Sequence, residues 1–509
     1  MARPLTSSAL PAGGHDPELL LSVQRFLEAS REPALLEPGE APISLAPGRH
    51  AMEDRRGALV IQAWDESRNI VRRVVGVLSQ RPGRLDLETE RCGKRRGKLT
   101  LFDQSHPRAG AASQQGRRHA FRERFRLFVR RQFPGWRLAD LTTEADLEHT
   151  LSPVYPRAFV RRGAAGWAVL GAPPEPDAGL GALTFGLIWL DYLRRREPRL
   201  AVQGLWLFLP EGEQHVTCLR LQYLDPRAAR IAVCVYSPDG EEEEIDPRDF
   251  GNLVTRLPPC RAESAEQLAP AGIASEVARL SGVETIIREN GALSFRVRGL
   301  EFARGQEGEL TYGLHRKRRA AERDLREIRS LAVALSRMRC HAAADRGNPI
   351  YKAAPEAWLE SQVRAHPEVI AADLARDPIY GQTPAITGVE RGVIDLLAVT
   401  ASGRLAVIEL KASADPHLPL QALDYWLRVW HHGRNGDFGR GGYFPGLTLA
   451  ALPPQLLLVA PALEFHPTTE TLIRFFKPEI PVERIGVGMD WRRKLEVVFR
   501  AEGSRKPGI

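Results

Sequence analysis

Cysteine is scarce in this chain. Five occur among 509 residues (Cys92, Cys218, Cys234, Cys260, Cys340), odd in number and with no C-x-x-C pair. That argues against a disulfide framework and a structural zinc site, and it suits a reducing cytoplasm. Long apolar runs are also missing: none reaches roughly 18 residues, and residues 1–16 hold no apolar signal-peptide core. A soluble, cytoplasmic protein without a membrane partner is therefore expected. No G-x-x-x-x-G-K-[ST] loop occurs, so the chain has no visible P-loop ATP motor. The net charge of +8 is modest for this length, so where the charge lies matters more than its sum.

What is present is a folded-protein apolar fraction of 43%, spread over too many residues for one core. The fold class expected is multi-domain α/β. Residues 1–50 are Pro- and Gly-rich and read as an N-terminal extension. Short alternating runs over 51–110 (Ala58–Gln62, Ile70–Leu78, Arg84–Glu88, Lys98–Phe102) read as a small β-rich module, and 104–117 as a linker. An α/β domain is expected over 115–260. It opens on a basic helix, Arg117–Gln132, with Phe121, Phe125 and Phe128 on one stripe. Further on, Leu183–Arg196 reads as a helix and Val202–Leu209, Thr217–Leu224 and Arg230–Tyr236 as strands. The acidic run Glu241–Glu244 reads as a solvated turn. Residues 261–345 read as a helix–strand module with a helix over Ala265–Leu280, ending in a basic helix over His315–Cys340. That last helix carries nine Lys or Arg and is a candidate phosphate-contacting face.

The most informative stretch is Val393-Ile-Asp395-Leu-Leu-Ala-Val399, five connecting residues that include Gly403, then Leu405-Ala-Val-Ile-Glu409-Leu-Lys411. Two apolar, β-branched runs around a short connection read as a hairpin. Alternation along a strand puts Glu409 and Lys411 on one face and Leu410 on the other. Two acids and a lysine converging on one side of a small sheet are costly unless they bind a metal or perform chemistry.

With its flanking motifs this segment resembles the PD-(D/E)XK nuclease superfamily, in the style of NucS-type mismatch endonucleases and RecB-like nucleases. A helix, Glu356-Ala-Trp-Leu-Glu360-Ser-Gln-Val, stands where the family has its first acidic motif. Gly392-Val-Ile-Asp395 supplies the second motif, Glu409-Leu-Lys411 the E-x-K, and Gln421-Ala-Leu-Asp-Tyr425 the Q-x-x-x-Y of the RecB-like branch. The match covers about a quarter of the chain. It implies a restriction-endonuclease-like mixed sheet flanked by helices over 346–509, preceded by the β-rich module and the α/β domains. By resemblance, Asp395, Glu409 and the Leu410 carbonyl hold Mg²⁺ or Mn²⁺, with Glu360 behind the metal as an additional ligand or an outer support and Glu356 as the alternative for that role. Lys411 orients or helps deprotonate the attacking water, and Gln421 and Tyr425 contact that water or the backbone of DNA. Arg428, one turn on, could reach a phosphate. His431 and His432 read as helix-end dipole partners.

The middle region echoes this plan. Leu147-Glu148 parallels Leu359-Glu360, and Leu190-Asp-Tyr192 parallels Leu423-Asp-Tyr425. Gly166–Gly171 offers a strand without an E-x-K, and Ile188 stands for Gln421. A degenerate nuclease-like domain that no longer cleaves is expected there, serving as a DNA-binding or dimer-forming surface. The function expected of the whole is a metal-dependent DNA endonuclease of repair or defence, with DNA and a second copy of the chain as partners. A catalytically silent DNA-binding scaffold and an RNA nuclease are the alternatives.

Overall fold

A computed structural model gives the architecture of residues 17–503, apart from 38–42, 46–49, 55–58, 65–68, 92–94, 104–110, 176, 251–252, 261–271, 289–290 and 388–390. The chain forms two compact units, residues 1–113 and 114–509. Among the described residues no helix is long and apolar enough to cross a membrane.

The first unit holds helix α1 (Pro17–Ala29) and strands β1 (Pro33–Leu36), β2 (Ile43–Ser44), β3 (His50–Asp54), β4 (Leu59–Trp64), β5 (Asn69–Arg81), β6 (Arg84–Arg91) and β7 (Arg95–Asp103). They make one antiparallel sheet in the order β2-β1-β7-β6-β5-β4-β3. In β4 the alternation Leu59, Ile61, Ala63 points inward, and these side chains meet Leu85, Leu99 and Val23 of α1. The β-rich module is therefore present, but it begins before residue 51: β1 pairs with β7, so part of the expected N-terminal extension belongs to the sheet.

The second unit, one-turn segments aside, runs α2 (Ala111–Gln132), β8 (Arg137–Thr142), β9 (Arg157–Arg162), β10 (Ala165–Gly171), α3 (Ala178–Arg196), β11 (Ala201–Pro210), α4 (Gln214–Leu221), β12 (Arg230–Tyr236) and β13 (Glu242–Ile245). Next come β14 (Thr255–Arg256), α5 (Ile273–Ala278), β15 (Glu284–Ile287), β16 (Leu293–Val297), β17 (Leu300–Gln306), β18 (Glu309–Tyr312), β19 (Arg318–Arg319) and α6 (Leu325–Met338). The last part is α7 (Pro355–Ala365), β20 (Tyr380–Thr387), β21 (Arg391–Val399), β22 (Leu405–Leu410), α8 (Leu418–Arg434), β23 (Gln455–Pro461), α9 (Thr469–Ile473), β24 (Val482–Val487) and β25 (Val497–Glu502).

Three sheets result. One is a five-stranded meander, β15 to β19. The other two share a plan: β8 to β13 in sequence order, and β20 to β25 in sequence order with β14 added beside β20. In both, the first three strands are mutually antiparallel, the next two are added parallel, and the last returns antiparallel. A long helix (α3 or α8) makes the first parallel crossover and a short one (α4 or α9) the second, as parallel strands require. One face of each sheet packs on a preceding helix: Phe121, Phe125 and Phe128 of α2 meet Val169, Phe208 and Tyr236, while Trp358, Leu359 and Val363 of α7 meet Ile408, Val459 and Val487. The opposite faces, with α3 and α8 between them, merge into one core shared by both sheets.

Several elements differ from expectation. Thr217–Leu224 is helical at its start, because Thr217, Cys218 and Arg220 of α4 turn one buried face toward its neighbours. Glu242–Ile245 is an edge strand rather than a turn, and Glu242 pairs with Arg131. The basic helix starts only at Leu325; Arg318 and Arg319 lie in β19, where Arg318 pairs with Glu327 and Arg319 with Glu309. Leu147-Glu148 lies in a turn with Leu147 91% exposed, so its parallel with Leu359-Glu360 fails. Residues 104–110 of the expected linker and 265–271 of the expected helix lie outside the described residues; 111–117 belong to α2.

Arg220 of α4 and Asp424 of α8, each 7% exposed, form a bidentate pair at 3.0 and 2.7 Å across the shared core. Asp424→Ala should leave a buried guanidinium short of its partner and cost roughly 3–5 kcal/mol in urea unfolding. In the meander, burial alone would raise Glu301, but Arg288, Arg304 and Lys317 outweigh it and hold the carboxyl at about 2. Its contribution is present above the usual carboxylate pKa and lost as pH falls toward 2. The stability gap between wild type and Glu301→Gln should thus shrink by about 3 kcal/mol between pH 6 and pH 2.

Candidate active site

The site lies at the end of the β21–β22 hairpin. The turn closes with Thr400 N–H to the Arg404 carbonyl at 2.8 Å and Gly403 N–H to the Thr400 carbonyl at 2.9 Å. Gly403 has φ +81°, and a Cβ there would meet the Thr448 carbonyl at 2.1 Å, so only glycine fits. β22 is buried along its whole length, as expected of a strand with a neighbour on each side and helices on both faces. The hairpin register pairs Leu396 with Ile408, so one step outward Asp395 faces Glu409. The Leu410 N–H donates to Asp395 Oδ2 at 2.8 Å.

Glu409 is 1% exposed, and among the described residues its buried Oε2 has no hydrogen-bond partner. Lys411 Nζ lies 3.7 Å from Glu409 Oε1 and 3.8 Å from Asp415 Oδ2. Burial, then the charge of Asp395, pushes the Glu409 carboxyl well above its ordinary range. Burial likewise lifts Asp395 to about 7, against the pull of Lys411. For Lys411 burial works downward, yet Glu409, Glu356, Asp415 and Asp395 outweigh it and raise the ammonium. Two desolvated carboxylates beside one cation favour a further proton or cation.

Helix α8 closes the site. Gln421 Nε2 donates to the Tyr425 hydroxyl at 3.1 Å, so the i, i+4 pair acts as one unit. Burial and the nearby Glu409 carboxylate raise the Tyr425 hydroxyl. Asp395, Glu409, Lys411, Gln421 and Tyr425 are thus brought together, as the resemblance implied. Arg428 is not: it is 4% exposed with its guanidinium over the Tyr425 ring at 5.9 Å, buried rather than offered to a phosphate. His432 ties Asp437 at 2.6 Å to Thr255 at 3.1 Å, a structural role.

Both acids of α7 reach the site, in different ways. Glu360 is held by Arg364, with Arg296 at 4.0 Å. Burial raises the Glu356 carboxyl, against the pull of Lys411 and with the push of Asp415. Glu356 therefore acts on Glu409 and Lys411, while Glu360, held by its arginines, acts on Asp395 from one turn away. Asp415 was missed. Its only sequence signal is its place two residues before His417, whose N–H its Oδ1 accepts at 2.8 Å in an Asx turn.

The start of α7 is set by a clamp from the meander module. Arg339, fully buried, donates to the carbonyls of Ile350 (2.7 Å), Ala353 (2.6 Å) and Arg298 (2.8 Å) and lies 4.7 Å over the Trp358 ring. Burial lowers it to about 9. Ala354 takes φ +43° at the helix start, a left-handed strain of about 1–2 kcal/mol. Gly299 meets the same turn so closely that a Cβ would come within 2.1 Å of the Ala357 carbonyl.

Among the described residues no three His, Cys, Asp or Glu side chains are gathered tightly enough to enclose a metal ion as they stand. The donor chemistry nevertheless fits a hard divalent cation: oxygen ligands, two of them desolvated, with Glu409 Oε2 unsatisfied.

The other sheet supplies a comparison within the chain. The Lys411 N–H donates to the Val459 carbonyl at 3.0 Å, and the Ala172 N–H donates to the Phe208 carbonyl at 2.8 Å. β11 and β23 end at Pro210 and Pro461, paired with Tyr236 and Val487. Ala172 therefore stands where Lys411 stands, Leu170 where Glu409 does, and Arg157, the partner of Leu170, where Asp395 does. The Arg157 guanidinium lies 5.5 Å over Trp189 and donates to the Glu144 carbonyl at 2.6 Å.

Comparison of the chain with protein-family models, with curated proteins and with solved structures finds no match.

The different ties of Glu360 and Glu356 separate two substitutions by melting temperature in the metal-free protein. Glu360→Gln should lower it, because buried Arg296 and half-buried Arg364 lose their acid. Glu356→Gln should leave it unchanged or raise it, because a desolvated charge is removed.

Proposed function

We propose that the chain is a metal-dependent deoxyribonuclease whose catalytic domain has a restriction-endonuclease-like fold. The observation that carries this reading is the triplet of buried Glu409 with half-buried Asp395 and Lys411 at one hairpin end, faced by the Gln421–Tyr425 pair. The sheet over 137–245 strengthens it. The same plan is built there with Arg157, Leu170 and Ala172, so the triplet is not something the fold needs. A buried charge set that folding does not require is best explained by chemistry.

Asp395 and Glu409 would hold a Mg²⁺ or Mn²⁺ ion, with the Leu410 carbonyl as a further ligand and Glu356 behind them. When bound, the ion neutralises phosphate charge and acidifies water. The protein's own groups do the rest. The Leu410 N–H fixes the orientation of Asp395. Lys411, kept protonated by its acids, donates hydrogen bonds to the attacking water and to the oxygen on which charge develops. Gln421 holds the Tyr425 hydroxyl so that it faces the reacting group. Exposed Arg323, Arg326, Arg329 and Arg337 around α6 offer charge to a phosphate backbone.

Cleavage of plain, mismatched, branched and single-stranded DNA should appear with Mg²⁺ or Mn²⁺ and vanish with chelator. Glu409→Ala and Lys411→Ala should each lower it by about 10²-fold or more. Binding without cutting across that panel would favour the silent scaffold, and cutting confined to RNA would favour a ribonuclease. Undiminished cutting by both variants would refute the site.

A further inference from the structure

The two sheets that share the central core are related by more than strand order. Leu190-Asp191-Tyr192 lies on α3 and Leu423-Asp424-Tyr425 on α8, the two helices that make the same crossover in their sheets. Each aspartate reaches the short helix of the other sheet. Asp424 pairs with Arg220 of α4 at 2.7 Å. Asp191 lies 4.0 Å from Arg474 at the end of α9 and accepts from the Thr471 hydroxyl at 3.5 Å. Just beyond those helices the two segments meet as a bridge, Leu224 opposite Phe476. There the Asp225 N–H donates to the Phe475 carbonyl at 2.8 Å and the Lys477 N–H to the Tyr223 carbonyl at 3.0 Å. Contacts in which patch i meets patch j and j meets i are the mark of a two-fold interface.

We infer that residues 137–245 and 380–502 are two copies of one unit, joined within a single chain about a pseudo-two-fold axis, and that only the second copy cleaves, so that one chain nicks one strand of duplex DNA. This rests on the nuclease reading above. The strands of a duplex are themselves related by two-folds, so a symmetric dimer of a cutting unit offers one centre to each strand. Here the first centre keeps Tyr192 in place of Tyr425 but lacks the acids, the amine and the amide that the chemistry uses. Arg157 puts a cation where the second copy has Asp395, Leu170 is 1% exposed in the core, and Ala172 has no amine. Ile188, 2% exposed, replaces the amide of Gln421. One binding event then hydrolyses one phosphodiester: a bond forms from water oxygen to phosphorus, one P–O bond to a sugar breaks, and the leaving oxygen takes a proton. The face that a second chain would cover is already filled from within.

The test uses the full chain, a supercoiled plasmid and Mg²⁺ or Mn²⁺, with light scattering on the same preparation. Open circles should accumulate first, linear DNA should appear only as random nicks build up, and the scattering mass should be that of one chain. Glu409→Gln should abolish all cutting. Linear product formed directly from supercoiled DNA would overturn the proposal, as would residual cutting by Glu409→Gln or a dimer mass. A plasmid left intact in both metals, with a single-chain mass, would instead remove the nuclease reading on which it rests.

Discussion

Lys411 lies 3.7 Å from Glu409 and 3.8 Å from Asp415, inside a site where Asp395 and Glu356 also act on it. Taking carboxylates out of water costs several kcal/mol each, and one ammonium offsets only part of that. The surrounding structure holds these charges together in spite of that cost. The glycine turn at Gly403 sets the hairpin register, the Arg339 clamp forces the entry to α7 through a left-handed alanine, and α8 supplies the Gln421–Tyr425 lid. Strain and desolvation are concentrated where the chemistry would occur.

The shared core explains how such a site is tolerated. The inner faces of both mixed sheets, with α3 and α8 between them, form one continuous apolar mass. Hydrophobic stabilisation scales with the apolar area buried, and this core draws on both sheets at once. The first sheet also acts as an internal control. With Leu170 and Ala172 in place of an acid and a lysine, it forms the same strand order. The charges of the second sheet are thus an addition to the fold and not a condition of it.

Legibility in the sequence followed the range of the forces. The hairpin, Glu409 and Lys411 on one face, and the Gln421–Tyr425 pair rest on periodicities of two and of about 3.6 residues, which local sequence carries directly. Leu190-Asp191-Tyr192 hinted at a second copy for the same reason. The Leu147-Glu148 parallel failed because a dipeptide says nothing about whether a helix surrounds it. Thr217–Leu224 was misread because β-branched and apolar residues suit a strand or a short buried helix equally well.

Local sequence was enough for the charged set of the candidate site: which acids and which lysine stand at a hairpin end, and which helix follows. It was enough because neighbours along a strand or helix have their geometry fixed by the backbone. Tertiary contacts alone separated the parts of Glu356 and Glu360, since Arg296 and Arg364 hold one acid and Lys411 pulls on the other. Only they buried Arg428, recruited Asp415, and matched Asp191 with Arg474 as Asp424 is matched with Arg220. Those outcomes depend on contacts between residues up to 283 positions apart, where no local periodicity reaches.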